Sequence, residues 1–119
     1  MLRIANKQAT KSDYIYRLGA VIVKGKRVLA TGYNSISYCS VNSFKNSRHA
    51  EMDVILKLMH KPNGLSSLAG STLYVTRITN TGRSAMARPC DKCMKLIQSV
   101  GIKEIIYTTP NGTSKEKVL

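Results

Sequence analysis

Hydrophobic and polar positions change their spacing several times along this chain, and each change marks a predicted element. Residues 3–12 are weakly amphipathic and predict a short helix with one face formed by Ile4, Ala5, Gln8 and Ala9. Residues 18–23 and 28–33 are apolar and β-branched runs, and Gly25 between them predicts that they form a β-hairpin. Residues 38–47 are polar and irregular, which predicts a loop.

Two longer helices are predicted after this loop. The first begins near residue 49, with Ser47 as its predicted cap, and ends before Pro62. Its predicted buried face has apolar residues at i, i+3, i+4 and i+7, which are Met52, Ile55, Leu56 and Met59. The second helix spans residues 90–100 between Pro89 and Gly101, and its shared face consists of Cys93, Leu96, Ile97 and Val100.

Two further strands and their connections complete the predicted order of elements. Composition favours strands at residues 72–78 and 103–108, with a loop over residues 79–88 before the last helix. Asn111 and the glycine after it predict a turn, and the residues beyond 108 are expected to form a polar tail without regular structure. The resulting order, α, β, β, α, β, α, β, predicts an α/β fold in which helices cover a mixed sheet.

Length and composition predict one domain that spans residues 1–119. The chain has 119 residues, of which 43% are hydrophobic, and no repeat, low-complexity tract or Pro/Gly-rich linker divides it. The sequence contains neither a signal-peptide core nor a run of roughly 18 to 20 apolar residues. We therefore expect a cytoplasmic protein without a membrane partner.

A strong excess of positive charge limits the classes of partner. Nineteen Lys and Arg residues oppose six Asp and Glu residues, which gives a net charge of +13. Such a field raises the local concentration of anionic partners, either nucleotides or nucleic acid, so a phosphorylated ligand is expected. A well-solvated basic surface is the alternative interpretation, because charge alone does not identify a ligand.

The chemistry is carried by two short motifs, His49-Ala50-Glu51 and Pro89-Cys90-Asp91-Lys92-Cys93. A catalytic zinc ion takes three N or S ligands from the protein and keeps a fourth position for water, and His49, Cys90 and Cys93 form such a set. The two cysteines lie three residues apart in the first turn of a helix, whose positive N-terminus favours the metal-binding thiolate form. Glu51 is then the expected proton carrier, from water to a ring nitrogen and the departing amine.

A C-x-x-C pattern by itself also fits a redox helix or one half of a structural zinc site. With three cysteines in the chain, a structural site would need Cys39 or His60 as its fourth ligand. A redox helix does not need an upstream His-x-Glu, and a closed zinc site has no use for the Glu51 carboxylate. The combined signature therefore favours a catalytic zinc site that removes an amino group from a nucleobase by hydrolysis.

The chain resembles the cytidine and deoxycytidylate deaminases, and within them most closely the deoxycytidylate deaminase group. Besides the two motifs, the similar segments are, in order, Leu18-Gly19-Ala20-Val21-Ile22-Val23, Ala30-Thr31-Gly32-Tyr33-Asn34, Leu73-Tyr74-Val75-Thr76 and Gly101-Ile102-Lys103-Glu104-Ile105-Ile106-Tyr107. The resemblance implies a three-layer α-β-α fold, with a mixed central sheet and helices on both faces. It also implies a homo-oligomer.

Roles for individual residues follow from the same resemblance. The three predicted ligands match the family's zinc ligands, and Glu51 matches its proton shuttle. Asn34 matches the asparagine that contacts the sugar, and the backbone N–H of Ala50 matches the donor to the base carbonyl. A turn residue that closes the second strand is the alternative interpretation of Asn34.

Two departures from the family pattern leave the substrate open. Residues 77–88 form a longer stretch than is usual before the cysteine motif, and Arg88 stands where the family has a small or acidic residue. A guanidinium there suits bidentate binding of a phosphate, from a nucleotide or from a strand backbone, but a solvated surface arginine is equally consistent. The chain also ends soon after Tyr107, where larger members continue.

Four functions compete on these observations. Hydrolytic deamination of a free nucleotide such as deoxycytidylate, with release of ammonia, is favoured. The same chemistry on single-stranded DNA or RNA fits the charge, but one Phe, six Tyr and no Trp offer little stacking surface. The third candidate is an adenosine deaminase that acts on transfer RNA, a group that shares both motifs. Residues 94–97 differ from the small-residue run of that group. A non-catalytic binding module would have no use for Glu51.

Overall fold

Helices and strands make up most of the chain that the structure describes. This computed structural model describes residues 2–10, 17–33, 35–38, 45–48, 50–79 and 83–118. Within those residues the helices are α1 (Leu2–Ala9), α2 (Ala50–Met59), α3 (Gly64–Leu68) and α4 (Asp91–Ser99). The strands are β1 (Arg17–Lys24), β2 (Arg27–Tyr33), β3 (Ser35–Tyr38), β4 (Lys45–Arg48), β5 (Thr72–Ile78), β6 (Ser84–Ala85), β7 (Glu104–Thr109) and β8 (Gly112–Lys117).

The main sheet is mixed. Its strand order is β2-β1-β5-β7-β8, and β6 pairs with the end of β5. β1 is antiparallel to both β2 and β5, β5 is parallel to β7, and β8 is antiparallel to β7. Parallel neighbours need a long crossover connection, and the connection from β5 to β7 contains α4. β3 and β4 form a separate antiparallel pair.

Helices pack on both faces of the main sheet, and β1 shows how the faces divide. Successive residues of a strand point to opposite faces. Ile22 is buried in one core cluster with residues of α2, α3 and α4. Val21, its neighbour in the chain, is buried on the other face against Ala5 of α1. The layers are therefore α-β-α, and the predicted fold class is confirmed.

Elements with strong local signals lie where the sequence predicts them. β1 and β2 form the predicted hairpin, and Gly25 occupies its turn with φ of 63°. α4 has Cys90 as its N-cap, and Gly101 follows its end with φ of 85°. Glycine adopts such a positive φ without the steric cost that a Cβ would bring. α1 forms on the predicted stretch, and residues 11–16 after it lie outside the described residues.

α2 buries a different face from the one that its apolar residues predict, and that prediction is wrong. The buried residues at i, i+3, i+4 and i+7 are Glu51, Val54, Ile55 and Leu58. Met52 and Leu56 are half-buried, and Met59 is 42% exposed. The two sets have the same spacing and share Ile55, so periodicity alone cannot choose between them. A pattern of apolar residues also omits Glu51, which occupies the first turn of the buried face.

The loop predicted at residues 38–47 is wrong at both ends. Tyr38 is the last residue of β3, and residues 45–47 belong to β4, which pairs with β3. Ser47 therefore lies inside a strand and does not cap α2. Backbone groups make the ladder between two strands, so a polar sequence such as that of β4 can pair without showing apolar alternation. Residues 39–44 lie outside the described residues.

The segment expected as a polar tail is an edge strand, β8, so this prediction is also wrong. The chain turns at Pro110 and Asn111 from β7 into β8, which confirms the turn at Asn111. A cross-strand ion pair joins Lys115 Nζ to Glu104 Oε2 at 3.3 Å. An edge strand with solvated side chains lacks the apolar run of a core strand, which is why composition did not indicate it.

Besides β3, β4 and β8, two short elements, α3 and β6, are missing from the predicted order. They contain five and two residues, too few to show a periodic pattern. β6 lies within the loop predicted at residues 79–88. No helix in the described part of the chain is long and apolar enough to cross a membrane.

Candidate active site

The first turns of α2 and α4 meet. Cys93 in the first turn of α4 is hydrogen-bonded to Glu51 in the first turn of α2. Farther along, the two helices bury Val54 and Ile97 in the same core cluster, which holds them on one face of the sheet. The N-terminus of a helix carries a partial positive charge that favours anionic groups. This meeting point therefore suits a carboxylate and thiolates.

Glu51 is a carboxylic acid that the protein has removed from solvent, with 2% of its surface exposed. Burying a carboxylate costs free energy unless polar or charged groups compensate. Here the N-terminus of α2 and the contact with Cys93 supply such groups. A buried acid that touches a candidate metal ligand is a candidate for proton transfer.

Cys90 and Cys93 present two thiols at the start of α4. Cys90 is the N-cap, with φ of −69° and ψ of 168°, and its carbonyl accepts a hydrogen bond from the Met94 N–H at 2.8 Å. Cys90 is exposed, whereas Cys93 is 1% exposed. No disulfide joins them, and a hydrogen bond connects the two side chains. Spacing of i, i+3 thus brings both sulfurs to one point.

The surroundings of Cys93 raise the pKa of its thiol. Burial is the largest cause, followed by the negative charge of Glu51, the hydrogen bond to Glu51, and then the hydrogen bond and charge of Cys90. These causes favour the protonated thiol. A divalent cation would instead favour the thiolate, because a thiol that coordinates a metal ion is deprotonated. Two neighbouring thiols beside a carboxylate are groups that fit a zinc site.

Hydrogen bonds to Thr108 hold the segment before Cys90 against the end of β7. The Thr108 carbonyl accepts a hydrogen bond from the Ala87 N–H at 2.9 Å, and the Thr108 hydroxyl donates to the Ala85 carbonyl at 2.8 Å. The same hydroxyl accepts the Arg77 N–H at 3.0 Å. Thr108 carries no motif and its partners are distant in the chain, so the sequence did not point to it.

Arg88, the predicted phosphate contact, pairs with Glu116 of β8. Its Nε donates to Glu116 Oε2 at 2.9 Å, and the two side chains are 44% and 36% exposed. The hydrogen bond to Glu116 and then its charge raise the pKa of Arg88. A guanidinium has five N–H donors, so a bond at Nε leaves donors for another acceptor. Glu116 lies in the segment expected as a polar tail, where the sequence gives no sign of it.

Two predicted site residues, Asn34 and His49, lie outside the described residues. Ala50 is the first residue of α2. Among the residues that the structure describes, no three His, Cys, Asp or Glu side chains gather as a metal site. The structure brings Cys93 together with Glu51 and with Cys90, and the full set of zinc ligands stays a prediction.

His60, an alternative ligand for a structural zinc site, lies at the wrong end of α2. It follows the last residue of the helix, whereas Glu51 and its contact with Cys93 are at the start. At 1.5 Å per residue, about 13 Å of helix separates the two positions. His60 therefore does not share a zinc ion with Cys93.

Known proteins are similar to this chain in sequence and in fold. The profile described as the cytidine and deoxycytidylate deaminase zinc-binding region matches residues 1–109. The match assigns the chain to the zinc-dependent hydrolytic deaminases, which confirms the predicted enzyme class. Within that class, it belongs to the cytidine and deoxycytidylate deaminase family, which confirms the resemblance noted in the sequence.

Similar proteins include phage and animal enzymes. Deoxycytidylate deaminase of Mycobacterium phage D29 is 31% identical to this chain, and the match covers 89% of each of the two chains. The probable deoxycytidylate deaminase of Drosophila melanogaster is 31% identical, with 87% of this chain and 54% of the fly protein covered. The crystal structure of dCMP deaminase from cyanophage S-TIM5 is similar with a TM-score of 0.66 and 26% identity, over 89% of this chain and 77% of that one.

Proposed function

We propose that this protein deaminates deoxycytidylate (dCMP) by zinc-dependent hydrolysis, so that dCMP and water give dUMP and ammonia. The observation that carries the proposal is the contact between the buried Glu51 carboxylate and the Cys93 thiol where α2 and α4 begin. A group able to move protons is thereby next to a group able to bind metal. Similarity to the phage D29 deoxycytidylate deaminase over 89% of both chains supports the choice of substrate.

Zn²⁺ is the proposed cofactor, and His49, Cys90 and Cys93 would hold it. Three protein ligands leave one tetrahedral position open, which is typical of a catalytic rather than a structural zinc site. When bound, zinc would acidify water so that hydroxide is available near neutral pH. The start of α4 supports the two thiolate ligands through its partial positive charge.

Glu51 is the proposed proton carrier. Its carboxylate takes a proton from the attacking water and delivers it to N3 of the cytosine ring as the oxygen bonds to C4. The remaining hydroxyl proton then passes through the same carboxylate to the amino group, which leaves as ammonia while C4=O forms. Burial of Glu51 suits both transfers, because bulk water is kept from the carboxylate.

Asn34 and the backbone N–H of Ala50 are the proposed contacts to the sugar and to the base carbonyl. Ala50 begins α2, and the first N–H groups of a helix have no acceptor within the helix. Asn34 directly follows Tyr33, the last residue of β2. Both assignments follow from membership of the family.

Arg88 is the proposed contact to the 5′ phosphate. It lies two residues before Cys90 in the chain, and its side chain is 44% exposed. The hydrogen bond from Nε to Glu116 orients the guanidinium, while its other donors can bind a phosphate in a bidentate manner. A net charge of +13 also favours the approach of an anionic substrate.

Deamination of cytosine in single-stranded DNA or RNA is the second candidate, because the same net charge favours a polyanion.

One experiment separates the two candidates. The zinc-loaded protein is incubated with dCMP, with cytidine, or with a cytosine-containing single strand at equal cytosine concentration, and ammonia and the uracil product are measured. We expect dCMP to be the preferred substrate. Turnover of the strand alone would replace the first candidate by the second, and turnover of none of the three would contradict both.

A cytoplasmic location and a homo-oligomeric state complete the proposal, and family resemblance supports the homo-oligomer. Analytical ultracentrifugation of the purified protein tests the second part. Sedimentation as a single chain at the concentration used in the activity assay would contradict it.

A further inference from the structure

The end of β2 is bound to α2 through the carboxylate of Asp53. The backbone N–H of Tyr33, the last residue of β2, donates to Asp53 Oδ2 at 3.3 Å. The Asp53 side chain is 13% exposed, so water competes little for this contact. A hydrogen bond to a charged acceptor is stronger than one between neutral groups.

Lys57, one helical turn after Asp53, strengthens the same connection. Its Nζ lies 3.2 Å from Asp53 Oδ2 and donates to the Thr31 carbonyl at 3.0 Å. The ammonium also lies 6.0 Å from the centre of the Tyr33 ring, which is within range of a cation–π interaction. The Asp53 and Lys57 side chains together thus hold two backbone groups near the end of β2.

Gly32 shows how closely β2 approaches the helix. A Cβ at this position would lie 2.7 Å from Asp53 Oδ2 and 3.1 Å from the Val54 backbone nitrogen. Carbon does not approach these atoms so closely without displacing them. The absence of a side chain at Gly32 therefore allows β2 to lie directly on α2, where Asp53 can reach the Tyr33 N–H.

The connection joins two parts of the proposed active site. Asp53 lies two residues after Glu51 on the same helix, and Tyr33 is followed in the chain by Asn34. We propose that Asp53 is a positioning residue that fixes the strand end leading to Asn34 relative to Glu51, with Lys57 orienting its carboxylate. The inference rests on the proposed function, because the fixed position of this strand end would serve to bind the sugar of the substrate.

The structure predicts which kinetic constant depends on this connection. Glu51 is held by the buried face of α2, which does not involve Asp53 or Tyr33, so proton transfer should survive loss of the connection. The strand end would lose its fixed position, and with it the contact to the sugar. Removal of Asp53 should therefore raise KM for dCMP and leave kcat nearly unchanged.

Asp53→Ala, Asp53→Asn and Lys57→Met test the proposal, and Glu104→Ala is the matched control. Glu104 is also a partly buried carboxylate paired with a lysine, but it lies at the start of β7, away from the Thr108 end. Steady-state kinetics with dCMP, zinc content and amide hydrogen exchange at Tyr33 are measured for each protein. Asp53→Ala should raise KM about tenfold, with kcat within about twofold of wild type and faster exchange at Tyr33.

The conservative variant separates positioning from general stability. Asparagine retains an acceptor for the Tyr33 N–H, so Asp53→Asn should restore KM to within about threefold of wild type. Lys57→Met should raise KM by about threefold through loss of the orienting charge. Unchanged KM in Asp53→Ala, or a fall in kcat alone, would overturn the proposal. If Asp53→Ala does not fold, unchanged KM in Lys57→Met would overturn it.

Failure of the proposed function gives a different result. A wild-type protein that does not turn over dCMP would contradict the proposed function, whatever the variants do. An active wild type whose Asp53→Ala variant has unchanged KM would contradict only the positioning role. In an inactive wild type the exchange measurement decides, and unchanged protection of Tyr33 in Asp53→Ala would overturn the positioning role.

Discussion

The Cys93 thiol is hydrogen-bonded to the Glu51 carboxylate, and this contact joins the first turn of α4 to the first turn of α2. Both side chains are almost fully buried. One belongs to the proposed metal site and the other is the proposed proton carrier. Two motifs that are far apart in the sequence can therefore serve one reaction.

Replacement of Cys93 by serine is expected to remove zinc. A hydroxyl is a much poorer zinc ligand than a thiolate, so zinc affinity should fall about 100-fold or more. Competition with a chromogenic chelator measures this affinity. Cys39→Ser is the control, because Cys39 is not among the proposed ligands, and it should bind zinc as the wild type does. A Cys93→Ser protein with wild-type zinc affinity would contradict the ligand assignment.

Replacement of Arg88 by alanine is expected to reduce recognition of the phosphate. The ratio kcat/KM for dCMP should fall about 10- to 100-fold, which is the usual loss for a charge-assisted contact. Deoxycytidine has no phosphate, so its kcat/KM should change little. Glu116→Gln keeps the guanidinium and should have a smaller effect on dCMP. Equal losses for dCMP and deoxycytidine in Arg88→Ala would exclude the phosphate role.

Two neighbouring residues of α2 test which face of the helix is buried. Leu58 is 3% exposed and Met59 is 42% exposed, although the apolar pattern predicts Met59 as a core residue. Leu58→Ala should lower the free energy of unfolding by about 2–5 kcal/mol, because it leaves a cavity in the core. Met59→Ala should lower it by less than about 1 kcal/mol. Urea denaturation measures both values, and the opposite ranking would support the face predicted from the sequence.

Elements with local signals were predictable, and elements that depend on distant partners were not. Gly25 between two β-branched runs indicated the β1–β2 hairpin, and Pro89 and Gly101 marked the ends of α4. β4 and β8 are polar and β3 has only four residues, so the pattern of side chains did not reveal that these strands pair with their neighbours. The face of α2 was undetermined, because two sets of residues had the same spacing.

Some contacts of the candidate site were likewise predictable from local sequence, and others depend on how distant elements pack. The meeting of Cys90 and Cys93 follows from their spacing within one helical turn. Their proximity to Glu51 could be expected only from the motif as a whole, since no local rule relates α2 to α4. Asp53 and Lys57 form an i, i+4 pair that is visible in the sequence, but the contact of Asp53 with Tyr33 depends on the packing of α2 against β2.

Glu51→Gln tests the central claim most directly. Glutamine has the size of glutamate but cannot accept and return the proton, and Glu104→Gln is the control at a carboxylate outside the site. Initial rates of dUMP formation from dCMP are compared at equal zinc content. The rate of Glu51→Gln should fall about 100-fold or more, with zinc still bound, while Glu104→Gln keeps the wild-type rate. A Glu51→Gln rate within about tenfold of wild type would contradict the assigned role.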